Sequence, residues 1–420
     1  LLKALTEKYP KEKLAHLEMG IYYDSKQQFT DAEKSFLTAL ALDPKYGEAL
    51  NGIAYTYAIQ KKYDQAITYF GRYAEACPGD VNPLDSMAEL YFRMGRLDEA
   101  AATYEKVYEL KPGFGSERNL AYICALMENY TGALAWMERY IDNAPSAGLA
   151  ASGRFNKAFF SSMAFNLQDA LDDINKARPL LISFGFKFGV AGSYWLEGWI
   201  RYELGEYELC RRYLREMISL MEEGSLMTSA FEISLRTLAG LLDLKENLID
   251  DAKARIAGID SLLALLPDTE PMQVSQKQFE TELFRAEVLL AEGRIDDAIT
   301  TGRNLPEVNI PSMNSALVFF YNFPMNRDVL ARAYVRKGLP DDAIEEYERL
   351  ITFDPAGNDR RLINPKFHYR LGILYEQKGV KDKARQQLQK FIEICGDAEP
   401  RLGEVADASR RLDTLSTPRE

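Results

Sequence analysis

Apolar residues in the first quarter of the chain recur at helical spacing, in short stretches that polar turns separate. One pair of such stretches covers 19–23 and 32–39, with the polar turn 24–28 (DSKQQ) between them. Apolar positions that recur with a period of about 3.6 residues predict amphipathic helices. The first part of the chain is therefore predicted to form helix–turn–helix units.

These units have a fixed length. Pro44, Pro78 and Pro112 stand 34 residues apart, and four more columns keep the same register before each proline. Two columns hold small residues and two hold aromatic ones: Gly20, Ala54 and Ala88; Ala32, Ala66 and Ala100; Tyr23, Tyr57 and Tyr91; Phe36, Phe70 and Tyr104. Small residues let two helices approach closely, the rings fill the space beside that contact, and each proline ends the second helix.

A period of 34 residues with these columns resembles the tetratricopeptide repeat, a helix–turn–helix unit that buries its apolar face only by stacking on its neighbours. The resemblance covers most of the chain. It implies an all-α fold: a right-handed superhelical solenoid of about ten antiparallel helix pairs, completed by a C-terminal capping helix.

The predicted repeats fall into two runs. Residues 1–12 are expected to be the remnant of a preceding helix, 13–266 to hold repeats one to seven, and 276–398 to hold repeats eight to ten with an insertion near 305–324. In repeat five, Pro179 comes early, so its second helix is predicted to end there and 179–192 to contain a turn. Residues 399–420 place apolar side chains on one side of a helix, which is typical of a capping helix and tail.

The C-terminal part is similar to a narrower group. The segments FYNFP (320–324), FHYRLG (367–372) and AEPR (398–401) resemble repeat regions attached to bacterial signalling proteins such as serine/threonine kinases, nucleotide cyclases and winged-helix regulators. This resemblance implies a cytoplasmic sensor or regulatory arm whose catalytic part lies outside these residues. Because the first residue is Leu1, an upstream targeting segment stays an open alternative.

Charge and motif content argue against several function classes. The 63 acidic and 51 basic residues give a net charge of −12, which disfavours nonspecific binding to nucleic acid. The apolar runs are too short for membrane insertion. The chain lacks the GxxxxGK[ST], GxGxxG, GxSxG and HExxH motifs. It is therefore predicted to be no enzyme and to have no catalytic residues, no cofactor and no metal site.

The two histidines and four cysteines fit structural roles. His16 and His368 stand in the column where the family often has Trp, which favours packing. The cysteines have no CxxC spacing, which predicts small buried thiols in a reducing compartment. The family's two-carboxylate clamp, which grips the C-terminus of chaperone peptides, needs Lys, Asn and Arg at set positions. Those positions hold Leu17, Ile21, Gly52, Asn82 and Ser86, so binding of chaperone tails is not expected.

Partner binding is predicted on the first helix of each pair, which lines the concave side of such an array. The outward residues include the acids Asp85 and Glu89. The predicted contact residues are Asn51, Tyr55, Asn119 and Tyr122 in repeats two to four, and Phe155, Asn156, Phe159, Trp195, Trp199 and Tyr202 in repeats five and six. Aromatic rings carry much of the energy of protein interfaces, and amides hydrogen-bond a peptide backbone.

The sequence thus favours a non-catalytic scaffold that binds a protein or peptide partner, with a groove across repeats four to six for an extended, partly apolar segment. The regulatory arm of a larger signalling enzyme is the alternative. A second alternative concerns the aromatic residues of repeats five and six, which at helical spacing can equally be core residues.

Overall fold

The computed structural model describes residues 2–224, 228–267, 271–308, 326–354, 360–395 and 403–416. Within these ranges it contains twenty-two α-helices and no β-strand. The helices pack in consecutive antiparallel pairs. The predicted all-α array of helix pairs is therefore confirmed.

The chain divides into two compact units, the first ending at Ile123 and the second beginning at Cys124. Unit 1 contains α1 (Leu2–Lys8), α2 (Lys13–Ser25), α3 (Phe29–Leu42), α4 (Gly47–Ile59), α5 (Tyr63–Ala76), α6 (Asn82–Arg93), α7 (Leu97–Leu110) and the beginning of α8 (Ser116–Leu126). Helices α2 and α3, α4 and α5, and α6 and α7 form the pairs, and each pair packs on the next.

The small-residue columns of unit 1 lie where helices approach most closely. Phe36 on α3 is almost fully buried between Gly20 on α2 and Gly52 on α4. A Cβ atom at either glycine would lie 2.6 Å from a carbon of the Phe36 ring. Ala66 and Ala100, in the second small column, are completely buried. The columns that define the repeat are therefore packing positions.

Unit 2 is also built from packed helices. It contains α9 (Tyr130–Asp142), α10 (Ala147–Met163), α11 (Leu167–Ser183), α12 (Lys187–Glu203), α13 (Tyr207–Glu223), α14 (Ser229–Lys245), α15 (Ile249–Leu263), α16 (Pro271–Ala291), α17 (Ile295–Arg303), α18 (Val329–Lys337), α19 (Pro340–Ile351), α20 (Lys366–Gln377), α21 (Lys381–Cys395) and α22 (Gly403–Ser416). Helix α16 packs on both α14 and α15, so the array continues past the proline-rich segment that begins at residue 267. Most of the predicted insertion near 305–324 lies outside the described residues.

Residues 179–192 contain a helix end followed by a turn, as predicted, but the helix does not end at Pro179. Helix α11 includes Pro179 and continues to Ser183, and α12 already begins at Lys187. Leu181, in the last turn of α11, is 1% exposed, and a Cβ atom at Gly189 of α12 would lie 3.2 Å from its side chain. The burial of Leu181 thus holds one more helical turn after the proline.

The last helix occupies the position predicted for a cap. Helix α22 packs on α21, and its Ala408 is completely buried. The Tyr369 hydroxyl donates to Asp407 over 2.8 Å, and Arg411 pairs with Glu376 at 2.5 Å. These contacts connect α22 to α20 as well as to α21.

Candidate partner-binding surface

The ten predicted contact residues lie on first helices of repeats in both units. Helices α4 and α8 carry those of unit 1, and α10 and α12 carry those of unit 2. The two sets differ in exposure. The unit 1 set includes one well-exposed ring and two half-buried amides, whereas four of the six side chains in unit 2 are less than 10% exposed.

In unit 1, side chains at the repeat period form a surface that we call the first-helix face. Its members come from α2, α4, α6 and α8: Ile21, Asn51, Tyr55, Ile59, Asp85, Glu89 and Asn119. Three of them are exposed apolar side chains, with Ile21 48%, Tyr55 42% and Ile59 58% accessible. Tyr122 does not belong to this face, because it is buried with its ring centroid 6.0 Å from that of Phe92.

Tyr55 is fixed in place although it is exposed. Its hydroxyl lies 2.7 Å from the Oγ atom of Ser86, and its ring meets Phe70 edge-on with the centroids 5.1 Å apart. An aromatic side chain held at both ends loses little conformational entropy when a partner covers it. Tyr55 is therefore a preorganised apolar contact on the first-helix face.

Asp85 gives the same face an unusual electrostatic character. Burial and the charge of the neighbouring Glu89 together raise the pKa of this carboxyl to about 6, although the charge of Arg118 partly offsets them. The nearby Tyr104 hydroxyl also has a raised pKa, because of its burial and the charges of Asp85 and Glu89. An acid that is poorly solvated in its charged form gains more than a surface acid from a cation placed beside it.

In unit 2, the predicted aromatic residues pack within the unit. Trp195 is 1% and Trp199 3% exposed, and Trp199 stacks on Tyr202 with the ring centroids 5.0 Å apart. Burial and the charges of Glu203 and Glu287 raise the pKa of Tyr202, which places α16 near this part of α12. Phe159 is also buried.

Phe155 and Asn156 remain half-buried on α10. A Cβ atom at Gly192 on α12 would lie 2.9 Å from the Phe155 ring, so this ring contacts the neighbouring first helix. These two side chains are the accessible part of the set predicted in repeats five and six.

An exposed set of phenylalanines was missed from the sequence. Phe184, Phe186 and Phe188, at the connection between α11 and α12, are 49%, 45% and 56% exposed. The rings of Phe184 and Phe186 stack at 6.2 Å around Gly185, whose φ of +69° allows the tight turn. The alternating sequence FGFKF (184–188) indicates such a set of rings, but the turn predicted within 179–192 does not identify it.

His368 is buried, as its packing prediction requires, and its ring is fixed by two side chains. Its Nδ1 atom lies 2.7 Å from Gln387 Oε1, and its Nε2 atom lies 2.7 Å from Glu128 Oε1. Among the residues that the structure describes, no group of three or more His, Cys, Asp and Glu side chains is arranged to hold a metal ion. In the same part of the chain, no helix combines the length and apolar character needed to cross a membrane.

The family comparison decides what these helix pairs are. The family described as Tetratricopeptide repeat matches residues 17–81, 86–148 and 329–400. This chain is a tetratricopeptide-repeat protein. Repeats of this family are interaction modules, so the chain has the architecture of a protein-interaction scaffold.

Two curated relatives match short parts of this tetratricopeptide-repeat protein. The anaphase-promoting complex subunit CDC16 of Saccharomyces cerevisiae is 28% identical over 108 residues, which are 26% of this chain and 13% of the relative. Anaphase-promoting complex subunit 6 of Arabidopsis thaliana is 25% identical over 144 residues, or 34% and 26% of the two chains. The matches therefore span only 13% and 26% of these relatives.

Among solved structures, a tetratricopeptide repeat protein from Parabacteroides merdae is similar to this chain. The TM-score is 0.42 and the identity 13%, over 64% of this chain and 98% of the other.

Three of the five clamp positions are used for packing in this tetratricopeptide-repeat protein. Leu17 is buried, Ser86 is buried against the Tyr55 hydroxyl, and Gly52 lies against the Phe36 ring. These side chains provide no cation for a terminal carboxylate. The first-helix face offers apolar, amide and acidic groups, and one of its acids, Glu89, pairs with Arg93 at 2.6 Å.

Proposed function

We propose that this protein is a non-catalytic scaffold whose first-helix face in unit 1 binds an extended segment of a partner protein. The segment carries a Lys or Arg next to an apolar side chain. The observation that carries this proposal is Asp85, a half-buried acid with a raised pKa, beside exposed and fixed Tyr55. The cation pairs with Asp85 and Glu89, while the apolar side chain packs on Tyr55.

The amides of the face provide for backbone recognition. Asn51 and Asn119 stand at the same position of repeats two and four. Within the described part of the chain, the Asn51 Oδ1 atom is buried without a hydrogen-bond donor. A buried acceptor of this kind gains a partner when a peptide N–H approaches it. Because an amide both donates and accepts, it binds a backbone irrespective of its sequence.

Repeats five and six are a second candidate surface under the same proposal. Phe155 and Asn156 are accessible to a partner in the present arrangement, whereas Phe159, Trp195, Trp199 and Tyr202 are covered by the protein itself. Binding at these four side chains requires helices of unit 2 to move.

The regulatory arm of a larger bacterial signalling enzyme is the second candidate function. The resemblance of residues 320–401 to repeat regions of kinases, cyclases and winged-helix regulators favours it. The full-length coding sequence tests it. An adjoining kinase, cyclase or winged-helix region supports the regulatory arm, and a reading frame that encodes repeats alone contradicts it.

Binding to an array of synthetic twelve-residue peptides tests the scaffold proposal. Each peptide carries Lys, Gln or Glu beside Leu or Ser in a common background. We expect the wild-type protein to retain the Lys–Leu peptides and to release them as salt is raised. The variants Tyr55→Ala and Glu89→Gln should bind them about tenfold more weakly, which corresponds to about 1.4 kcal/mol.

Glu105→Gln is the matched control, because Glu105 is an exposed acid on α7, the second helix of its pair. It removes the same charge without touching the first-helix face. If retention is independent of the Lys residue, or if Glu89→Gln and Glu105→Gln weaken binding equally, the proposed surface is wrong.

A further inference from the structure

A buried, non-helical segment precedes α20. Residues 360–365 form no helix, yet Arg360, Leu362 and Ile363 are 2%, 5% and 4% exposed. Connecting segments usually run over the surface, because their backbone groups need partners. We call residues 360–368 the strap, because this part of unit 2 returns to repeats more than 160 residues earlier in the chain.

The strap contacts the ends of three successive first helices. The Tyr130 hydroxyl donates to the Ile363 carbonyl oxygen over 3.4 Å, just after the end of α8. Lys366 Nζ lies 4.9 Å from the centre of the Phe165 ring, beyond the end of α10. The same ammonium group donates to Glu203, the last residue of α12, over 2.9 Å.

Charge complementarity reinforces these contacts. The C-terminal ends of helices carry partial negative charge and attract cations. Lys366 also pairs with Glu404 on α22 at 3.2 Å. Burial opposes the charge of Lys366, but Glu203 and Glu404 outweigh that effect and raise its pKa. His368 contacts Glu128 at the end of α8.

Glu128 and Phe165 occupy a backbone conformation that favours glycine. Their φ angles are +56° and +62°, and the equivalent turns elsewhere hold glycines or the exposed side chains of Gln27, Lys61 and Asn247. A residue with a Cβ atom is disfavoured there. In repeats four and five, Glu128 and Phe165 hold these strained positions, and both side chains contact the strap.

We propose that Glu128, Phe165 and Glu203, the turn row of unit 2, form a docking site for a segment that presents a Lys and a His to them, as Lys366 and His368 do in the first turn of α20. The strap, with its sequence RRLINPKFH, is the intramolecular occupant of this site, and a partner segment of the same pattern binds by replacing it. This site is in unit 2 and does not depend on binding to unit 1. A tethered occupant has an effective concentration of about millimolar, so it holds back weaker competitors.

Two natural cysteines report on the strap. Cys395 is fully buried, and its thiol lies close enough to Lys366 and Glu404 for both charges to act on its pKa, which burial raises. Cys210 on α13 is also fully buried, and burial raises its pKa to about 12. Release of the strap should expose Cys395 alone, whereas unfolding of unit 2 exposes both thiols.

The test measures the alkylation rate of each cysteine by N-ethylmaleimide in the whole chain, with peptide mass spectrometry. Lys366→Glu places a negative charge beside Glu203 and Glu404. We expect it to raise the rate at Cys395 about tenfold or more and to leave Cys210 unchanged. Lys366→Gln, which adds no repulsion, should have a smaller effect of the same kind. Lys378→Glu, a charge reversal at the other end of α20, is the control and should change neither rate.

A synthetic RRLINPKFH peptide then tests docking in trans. Added to the Lys366→Glu protein, it should slow alkylation of Cys395, and the peptide with Glu in place of Lys should not. The proposal is overturned if Cys395 and Cys210 react at equal rates in both Lys366 variants, since the strap then opens only with unfolding. It is equally overturned if Cys395 reacts selectively but the peptide gives no protection.

Discussion

The raised pKa of Asp85 predicts a pH dependence of the protein's stability, whether or not a partner is bound. Its pKa of about 6 in the folded chain lies above the ordinary value of 3.8, so the folded state holds the proton more tightly than the unfolded state. Its contribution to the free energy of unfolding is therefore present at low pH and is lost as pH rises from about 4 to 6. By pH 7.5 the ionised carboxyl should cost about 3 kcal/mol, reduced to about 2 kcal/mol by solvent screening at this half-buried site, and Asp85→Asn removes this cost.

Urea unfolding of the wild-type protein and of Asp85→Asn at pH 4.5 and 7.5 measures this effect. The variant should become more stable relative to wild type at the higher pH. A difference between the two proteins that does not change with pH would contradict the electrostatic role given to Asp85.

Substitution of Trp195 and Trp199 tests whether the aromatic residues of repeats five and six are core residues or bind a partner. Both are almost fully buried, so core packing predicts a loss of about 3–5 kcal/mol for each Trp→Ala substitution and unfolding of the double variant. Tyr55→Ala, at an exposed ring, should cost far less. Thermal unfolding of both variants tests the contrast. A folded Trp195→Ala, Trp199→Ala protein that retains its partner would exclude these residues from binding.

The burial of a single residue was predictable from the sequence where the residues that cover it belong to the same repeat. The small column at Ala32, Ala66 and Ala100 is completely buried, because contacts within one helix pair fix it. Helical spacing places Trp195 and Trp199 on one face but does not indicate what covers that face. Their neighbour Tyr202 interacts with Glu287 of repeat eight, which no local pattern connects to repeat six.

At the level of helices, the sequence predicts which helices form pairs, but it does not predict where every helix ends. The rule that proline ends a helix failed at Pro179. Leu181, two residues later on the same helix, is buried against α12, and this burial outweighs the hydrogen bond that proline cannot make. The strap was also not predictable. No local pattern in residues 360–364 predicts a buried connection, and Tyr130, which contacts Ile363, is 233 residues away in the chain.

Helix α22 should be needed for solubility. It packs on α21, where Leu388, Phe391 and Cys395 are buried. Deletion of residues 399–420 removes this cover and leaves an apolar helix face unpaired, so the truncated protein should aggregate and melt at a lower temperature. Light scattering during a thermal scan provides the measurement. A truncated chain as soluble and as heat-resistant as the parent would refute the capping role.

For the whole molecule, the repeat period predicted the array but not its division into two units. The boundary between Ile123 and Cys124 falls inside α8, where the helical pattern of the sequence continues without a mark. The proline-rich break after residue 266 was the more visible signal in the sequence.

Limited proteolysis should distinguish regular from irregular parts of the chain. The segments that look least regular in the sequence, 267–275, 305–311 and 356–364, are expected to be cut before the helix pairs. Helix α16, which begins at Pro271, should protect the end of the first segment, and the buried strap its own part of the last one. Leu265, beside the first segment, is 69% exposed. Repeats one to three should survive as one fragment. Early cleavage within 57–104 would mean that regular sequence there does not confer stability.

The most direct test of the scaffold proposal is the pH dependence of binding of one Lys–Leu peptide from the array. Binding of the peptide's cation requires the charged form of Asp85. Because the pKa of Asp85 is about 6, this charged form is a minority at pH 5. Isothermal titration calorimetry should therefore give about tenfold tighter binding at pH 7.5 than at pH 5 for the wild-type protein, and no such change for Asp85→Asn. Equal affinity at both pH values, or the same pH dependence in the variant, would contradict the assignment of the first-helix face as the binding site.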